Sequence, residues 1–465
     1  KYTRKTGTII MIGDDKMQLK KFKKLNYRNN LIIVIFILLI IGLASVYLYK
    51  TYAIFTSNKQ FNVINGTVGD PGDIYFAYYV DGKITRSMPT QNTGYTLNEE
   101  KSECTNGVVA KWDNASWQFI GNYSNYNATD YTRTRCNLYF EKTSKIVSTS
   151  IGDIEVNTYT PDFSKSACDD DTCESHEKGI YETLDDDGTS YYYRGSVENN
   201  YVKFAGFYWR IIRINGNGSI RVIYDGTVAH DNGESSEDRN CGYVIFNGMI
   251  NDNMYVGYMY ESGLSHGLST SSALKSSNDN FYSQYLLSYS SFLDINAGFW
   301  GDRSSYNVLA GVGTGSVLTY YKSYTRLNRA TPSLKCYDSR DYYTVTDAVA
   351  GNKKLTYPIG LVNLDEIVFA GSGAGYYDRA DFSTPKNKNG HLISGTDFWT
   401  MSPSGYFNLY GFSDISAVIF SVGKDGYPTD TYPTSGQGLR PVINLKNTLK
   451  FTGDGTKNNP YVPSL

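Results

Sequence analysis

The side chains able to carry chemistry are few and scattered. Four histidines serve the whole chain, His176, His230, His266 and His391, and neither a metal-binding HExxH pair, a GxSxG nucleophile elbow nor a phosphate-cradling glycine loop is present. The expected activity is therefore binding and not catalysis, with no cofactor and no metal. Six cysteines fall into three local sets, Cys104 with Cys136, Cys168 with Cys173, and Cys241 with Cys336. An even count suits disulfides in an oxidising compartment, and proximity favours these pairs, although fifteen pairings are formally open. Two acidic runs invite a cation. Cys168 to Cys173 would close a tiny loop around three aspartates, for which a stapled turn is the preferred reading over a metal site. Asp185, Asp186, Asp187 and Gly188 lack the alternating spacing and closing glutamate of a calcium loop, so a hairpin turn before Tyr191, Tyr192 and Tyr193 is expected.

Aromatic chemistry is the alternative. The chain holds 43 Tyr against 21 Phe and 5 Trp, with abundant Ser, Gly and Asn. That mixture provides rigid contact area with adaptable hydrogen bonding, as recognition surfaces use it. It also matches plain β-propensity in an Asn-, Lys-, Ile- and Tyr-rich composition.

Residues 31–49 (LIIVIFILLIIGLASVYLY) are an uncharged run long enough to cross a bilayer as a helix, so residues 31–52 are expected to be a single transmembrane anchor. Before it, Lys1, Arg4, Lys5, Lys16, Lys20, Lys21, Lys23, Lys24 and Arg28 face only Asp14 and Asp15, which predicts a cytoplasmic N-terminus over residues 1–30. After position 50, 34 basic residues oppose 44 acidic ones, a net charge of about −10 that argues against nucleic acid as partner. A cleaved signal peptide ending at Gly42, Leu43 and Ala44 is the competing reading, disfavoured because the apolar character continues beyond Ala44. Met17 suits a conventional start fourteen residues before the run, so residues 1–16 read as translated leader. The expected localisation is the cell membrane, single-pass, with the C-terminal ectodomain outside.

The remainder should be α+β and β-rich. Residues 56–145 read as a small β-sandwich module, with a hairpin at Asp81 and Gly82 and a second turn over residues 113–116. Residues 146–190 change to Ser, Thr and Asp and read as a linker with a small disulfide loop. Residues 191–465 form the large domain. There the stretch 207–214 should alternate, with Arg210, Ile212 and Ile214 opposite Trp209, Ile211 and Arg213. Residues 272–292 are the best helix, with Leu274, Phe281, Tyr285 and Tyr289 near one face. Residues 300–356 read as long surface loops held by Cys336, and strands return at 398–403, 417–422 and 438–445.

Trp209 and Arg210, then Tyr357-Pro358-Ile359-Gly360-Leu361-Val362 running into Asp365-Glu366-Ile367-Val368-Phe369-Ala370-Gly371, then FWTMSP (398–403) and GLRPVINL (438–445), form an ordered set of motifs. The set resembles DUF6273-like and major-paralogous-domain (FISUMP-type) surface proteins of gut Firmicutes, over roughly residues 180–460. The resemblance implies a C-type-lectin-like, formylglycine-enzyme-like fold. Family members often place a Cys before Asn-Asp-Arg where this chain has Phe299-Trp300-Gly301-Asp302-Arg303, which implies that Cys336 takes Cys241 as its partner. Formylglycine chemistry would need a redox cysteine pair late in the domain, and the last cysteine is Cys336. The paired Glu-Pro-Asn or Gln-Pro-Asp and Trp-Asn-Asp segments of calcium-dependent sugar binding are missing as well. The fold resemblance therefore transfers no chemistry.

Within that frame Trp209 and Trp399 read as core anchors, and Arg440 as a guanidinium tying loops together. Ligand contacts in this fold usually come from variable loops, here residues 405–413 and 427–437, which nominates Tyr406, Phe407, Tyr410, Tyr427 and Tyr432 as ligand-binding residues. The expectation is a membrane-anchored bacterial surface protein presenting a lectin-like domain for adhesion or ligand recognition, with a glycan or protein ligand outside the cell. The alternatives are a cell-envelope structural or sensor component that binds envelope proteins, and an unrecognised hydrolase.

Overall fold

The computed structural model describes residues 74–91, 94–127, 134–167, 178–264, 266–306, 313–346, 351–373, 390–408 and 414–465. The expected anchor at 31–52, the basic N-terminus, Cys168, Cys173, His176 and Tyr410 lie outside the described residues. No described helix is long and apolar enough to cross a membrane. Strands of several sheets dominate and helices are short, an α+β, β-rich protein.

The hairpin signals act where their chemistry requires. Asp81 and Gly82 both take positive φ, 48° and 78°, and join Tyr75–Val80 to Lys83–Thr85, as a tight two-residue β-turn demands. Among the described residues the N-terminal module has a five-stranded sheet. Tyr75–Val80 lies parallel to Arg135–Lys142, which also pairs with Tyr95–Leu97 and Glu103–Cys104. A hairpin, Trp112–Asp113 with Gln118–Phe119, supplies the second layer, with the Trp112 ring edge-on to Phe140 at 5.1 Å. Phe140, Leu138 and Cys136 are fully buried beneath it. Cys104 and Cys136, direct cross-strand neighbours, form a disulfide.

The described parts of the expected linker at 146–190, residues 146–167 and 178–190, supply strands to the large domain. Ser144–Thr149 and Gly152–Asn157 form a hairpin, and the latter pairs in parallel with Gly179–Leu184, so all three strands join an eight-stranded sheet. Its order continues through Thr189–Arg194, Phe207–Ile214 and Ile220–Gly226 to Val442–Leu445, with Tyr201–Phe204 added alongside Phe207–Ile214. Ile154 and Val156 point into the core at every second position, while their Ser, Thr, Asp and Glu neighbours are largely exposed. That polar alternate face is what resembles linker composition.

Phe207–Ile214 departs from simple alternation. Trp209, Ile211 and Ile214 enter one core and Ile212 the other, because the register with Ile220–Gly226 shifts between Ile211 and Arg213. An extra residue at such a bulge advances the phase by one and brings Ile214 round to the Trp209 side. Trp209 is fully buried, its Nε1 donating to the Phe204 carbonyl at 3.0 Å.

The second sheet of the large domain has six strands, centred on Phe398–Phe407 and Ser416–Val422, with Pro428–Thr431 at one edge and Gly436–Gly438 and Tyr243–Ile245 toward the other. Between the two sheets runs a core containing Trp399, Phe398, Ile419, Ile212, Ile223 and Val442. The helix Ala273–Phe281 starts at Ser272, whose side chain caps the Lys275 N–H, and continues as one π turn and a 3-10 segment to Phe292. The wide π turn changes the buried face, so Tyr282 and Leu286 point inward while Tyr285 and Tyr289 are exposed. Residues 300–356 are not surface loops. They hold the helix Lys322–Arg329, the paired strands Phe299–Trp300 and Tyr342–Tyr343, and buried Arg303, Tyr321, Leu327 and Tyr343.

Because the disulfide closes a separation of 32 residues, replacing Cys104 and Cys136 by alanine is expected to destabilise the N-terminal module by about 3–4 kcal/mol. Denaturant unfolding followed by near-ultraviolet circular dichroism would register the loss, and an unchanged midpoint would contradict it.

Candidate functional site

The large domain is organised around buried ion pairs. Asp225, at the end of Ile220–Gly226, accepts from Arg239 Nε and Arg440 Nη2, both at 2.8 Å, and all three side chains have zero exposure. Arg440 also donates to the carbonyls of Leu392 (2.6 Å) and Tyr224 (3.1 Å). Burial pulls the Arg440 guanidinium down to about 9 while the Asp225 carboxylate opposes that shift, so it stays protonated at neutral pH. It sits where the chain leaves Gly436–Gly438 in the six-stranded sheet and enters Val442–Leu445 in the eight-stranded one.

A second set converges on the helix Leu364–Phe369, which begins in a capping box between Asn363 and Glu366. Glu366 accepts from Arg213 Nε at 3.0 Å and contacts Arg221 Nε at 2.6 Å, and Arg213 reaches on to Asp185 at 2.7 Å. Its neighbour Asp365 takes a two-pronged bond from Arg326, 2.7 Å on each side. Arg194 donates to the Val368 carbonyl at the other end of this helix, 3.0 Å away. Both acids stand in the first turn, where the helix dipole also favours negative charge.

A groove of about 280 Å³ lies on the six-stranded sheet. Its wall combines Asp397 and Ser421 with Thr429, Asp430 and Thr431 of the edge strand, and with Tyr432, Ser435 and Gln437 of the following turn. Asp430 is held by a bond from Ser404 Oγ at 2.6 Å, Ser421 and Thr431 share a hydroxyl contact at 2.7 Å, and Asp397 Oδ1 accepts the Lys424 N–H at 2.7 Å. Among the described residues the wall has two carboxylates, several hydroxyls, one amide and one phenol. Such a surface can bond alternately to hydroxyl hydrogens and oxygens of a ligand.

The five nominated aromatic residues are not brought together. Tyr406 is buried, its hydroxyl donating to the Asn251 carbonyl at 3.0 Å, and Phe407 is buried against Tyr320 with ring centres 5.2 Å apart. As neighbours on one strand they face opposite sides, Tyr406 entering the core between the sheets and Phe407 packing with Val418 on the other face. Tyr427 is half-buried, with its carbonyl accepting from Gly423 at 2.8 Å. Tyr432 alone of the described four lines the groove. Trp399 is fully buried, its Nε1 donating to Val244 O at 2.7 Å. The hydroxyl and carboxylate residues of the groove went unnamed in the sequence because the aromatic signal outweighed them, although the run Thr429-Asp430-Thr431 within residues 427–437 carries it.

Cys241 and Cys336 are not joined to each other, which corrects the expected pair. The Cys241 backbone is fixed by Leu439 (2.8 Å), whereas the Cys336 N–H is fixed by Asp186 (2.9 Å) and its thiol turns to the Asp338 carbonyl. Burial pushes both thiols well above their ordinary range, so neither is a ready nucleophile.

Comparison of the chain with protein-family models, with curated proteins and with solved structures finds no match. The functional reading rests on the residues themselves.

Burial raises the Glu366 carboxyl, but Arg221, Arg213 and the Asn363 N–H outweigh it and hold the group below its ordinary value. A lowered carboxylate stabilises the fold fully above its unfolded pKa and ceases to do so as pH falls through the folded one. The protein should therefore lose stability below about pH 4. Glu366→Gln should cost about 3–5 kcal/mol at neutral pH by leaving buried guanidinium unpaired, and its acid limb should be flatter. Denaturant midpoints across pH test both statements, and parallel acid limbs would refute the assignment.

Proposed function

We propose that the chain is a single-pass, membrane-anchored bacterial surface protein whose lectin-like head binds a polyhydroxylated ligand in the groove beside Thr429–Thr431. The observation that carries this reading is the make-up of that groove, an open concavity of about 280 Å³ walled by hydroxyl, carboxylate and amide groups. The anchor, its orientation and the C-type-lectin-like assignment rest on the sequence, through the apolar run at 31–49 with its basic flank and the ordered motifs from Trp209 to Leu445.

The charge of the wall narrows the ligand. With Asp397 and Asp430 and, among the described residues, no lysine or arginine lining it, the groove disfavours carboxylated, sulfated and phosphorylated chains and suits neutral or amino-bearing sugars. A free carboxylate brought beside either aspartate would gain no partner while losing water. Tyr432 provides one apolar ring face, and the remaining recognition is polar.

Binding of the full-length protein to an array of neutral, amino-bearing and acidic glycans tests the reading. Neutral or amino-bearing chains should bind and acidic ones should not. Gln437→Ala and Thr429→Ala should each weaken binding about fivefold to tenfold, the effect of losing one hydrogen bond. Preference for acidic glycans, or binding indifferent to both substitutions, would remove the groove as the site.

A further inference from the structure

The turn between Gly179–Leu184 and Thr189–Arg194 carries Asp185, Asp186 and Asp187 in succession. They ring a cavity of about 10 Å³, the space of a single water or small ion, whose wall also contains Arg213, Asn215 and Tyr342. Charges there do not balance. Asp185 is satisfied, taking Arg213 Nη1 at 2.7 Å, the Gly216 N–H at 2.8 Å and the Asp187 N–H at 2.9 Å. Arg213 in turn is neutralised by Asp185 and by its share of Glu366. Asp186 receives only the Cys336 N–H, and no described residue donates to the Asp187 carboxylate. Two negative charges are left at the cavity mouth.

A second feature at the same place also lacks a partner. Asn215 is 5% exposed and lines the cavity, and both hydrogens of its amide nitrogen are committed, to Ser219 Oγ at 2.8 Å and Asn444 Oδ1 at 3.0 Å. Its Oδ1 is buried without a donor. A buried amide oxygen without a hydrogen-bond donor is costly, and it is a good ligand for a cation. The walls contributed by Trp300, Leu334 and Tyr342 exclude water from one side and strengthen the field of the carboxylates. Burial and the neighbouring aspartates raise the carboxyl groups of Asp186 and Asp187, as expected for anions in need of a counter-charge.

We propose that Asp186, Asp187 and Asn215 Oδ1 form a site for one hard divalent cation, calcium or magnesium, which links the 185–188 turn to the turn at 215–218 and, through Asp186, to the chain at Cys336. All donors are oxygens, which selects hard ions over zinc or copper. Among the described residues no three acidic, histidine or cysteine side chains already stand at chelating separation. The ion therefore completes its shell with water, as weakly held calcium and most bound magnesium do.

The test uses the full-length protein in detergent, stripped with a chelator and then given calcium or magnesium chloride alone at about 1 mM, the range of extracellular calcium modules. The wild-type Tm should rise by roughly 2–4 °C with the preferred ion. Asp187→Asn should melt no lower than the wild type without metal, since it removes an unpaired charge, and should not respond to the ion. Asp186→Asn, which keeps an acceptor for the Cys336 N–H, should behave likewise if Asp187→Asn proves hard to obtain. A wild-type Tm indifferent to both ions would mean that the cavity holds only water and would overturn the proposal. So would a full response in Asp187→Asn, which would place the ion elsewhere.

Discussion

Arginine buried against carboxylate is the constraint on which the large domain depends. A guanidinium inside a protein is tolerable only when its charge and its donors are both matched, and breaking such a pair costs several kcal/mol because the survivor cannot return to water. Here Asp225 is matched by Arg239 and Arg440, Glu366 by Arg213 and Arg221, and Asp365 by Arg326, all within the interior. Each set draws residues from distant parts of the chain, so the eight-stranded sheet, the six-stranded sheet and the short helix Leu364–Phe369 must be in place together. Arg440 carries this constraint to the connection between the two sheets. It fixes the crossing that begins at Gly438, one residue beyond the groove residue Gln437.

Tyrosine abundance has a structural use alongside any role in recognition. Tyr181, Tyr193, Tyr258, Tyr321 and Tyr343 are within 2% of complete burial, and burial lifts several of their phenols far above the ordinary range. Many of the hydroxyls are spent internally, as in Tyr201 to the His230 carbonyl at 2.7 Å and Tyr321 to Asn253 at 3.1 Å. A tyrosine fills a gap with its ring and satisfies a loop carbonyl with its tip, which suits a domain with many short strands and long connections. The groove is walled by hydroxyl, amide and carboxylate groups more than by rings.

Local chemistry made much of the fold legible. The Asp81-Gly82 turn, the Asp185–Gly188 turn, the Ser272 cap and the strands around Trp209 and Trp399 follow from residues within a few positions of one another. What escaped depends on distant partners. Gly152–Asn157 reads as linker until Gly179–Leu184 lies beside it, and Ile214 changes face because of a bulge defined by the opposite strand. Proximity and the family resemblance pair Cys241 with Cys336, yet each is held by a different backbone anchor. The groove was half legible. Six residues within 427–437 line it, but a count of aromatic side chains selected Tyr406 and Phe407, which are buried.

Buried ion pairs lock the large domain into one head, with the strands Ser144–Thr149, Gly152–Asn157 and Gly179–Leu184 as an integral part. Hydrogen-exchange mass spectrometry of the full-length protein tests it most directly. Amides of Gly152–Asn157 and Gly179–Leu184 should exchange as slowly as those of Phe398–Phe407 and Val442–Leu445, and Glu366→Gln should accelerate all four segments together. Rapid exchange confined to 144–184, unaffected by that substitution, would show a flexible linker there and contradict the account.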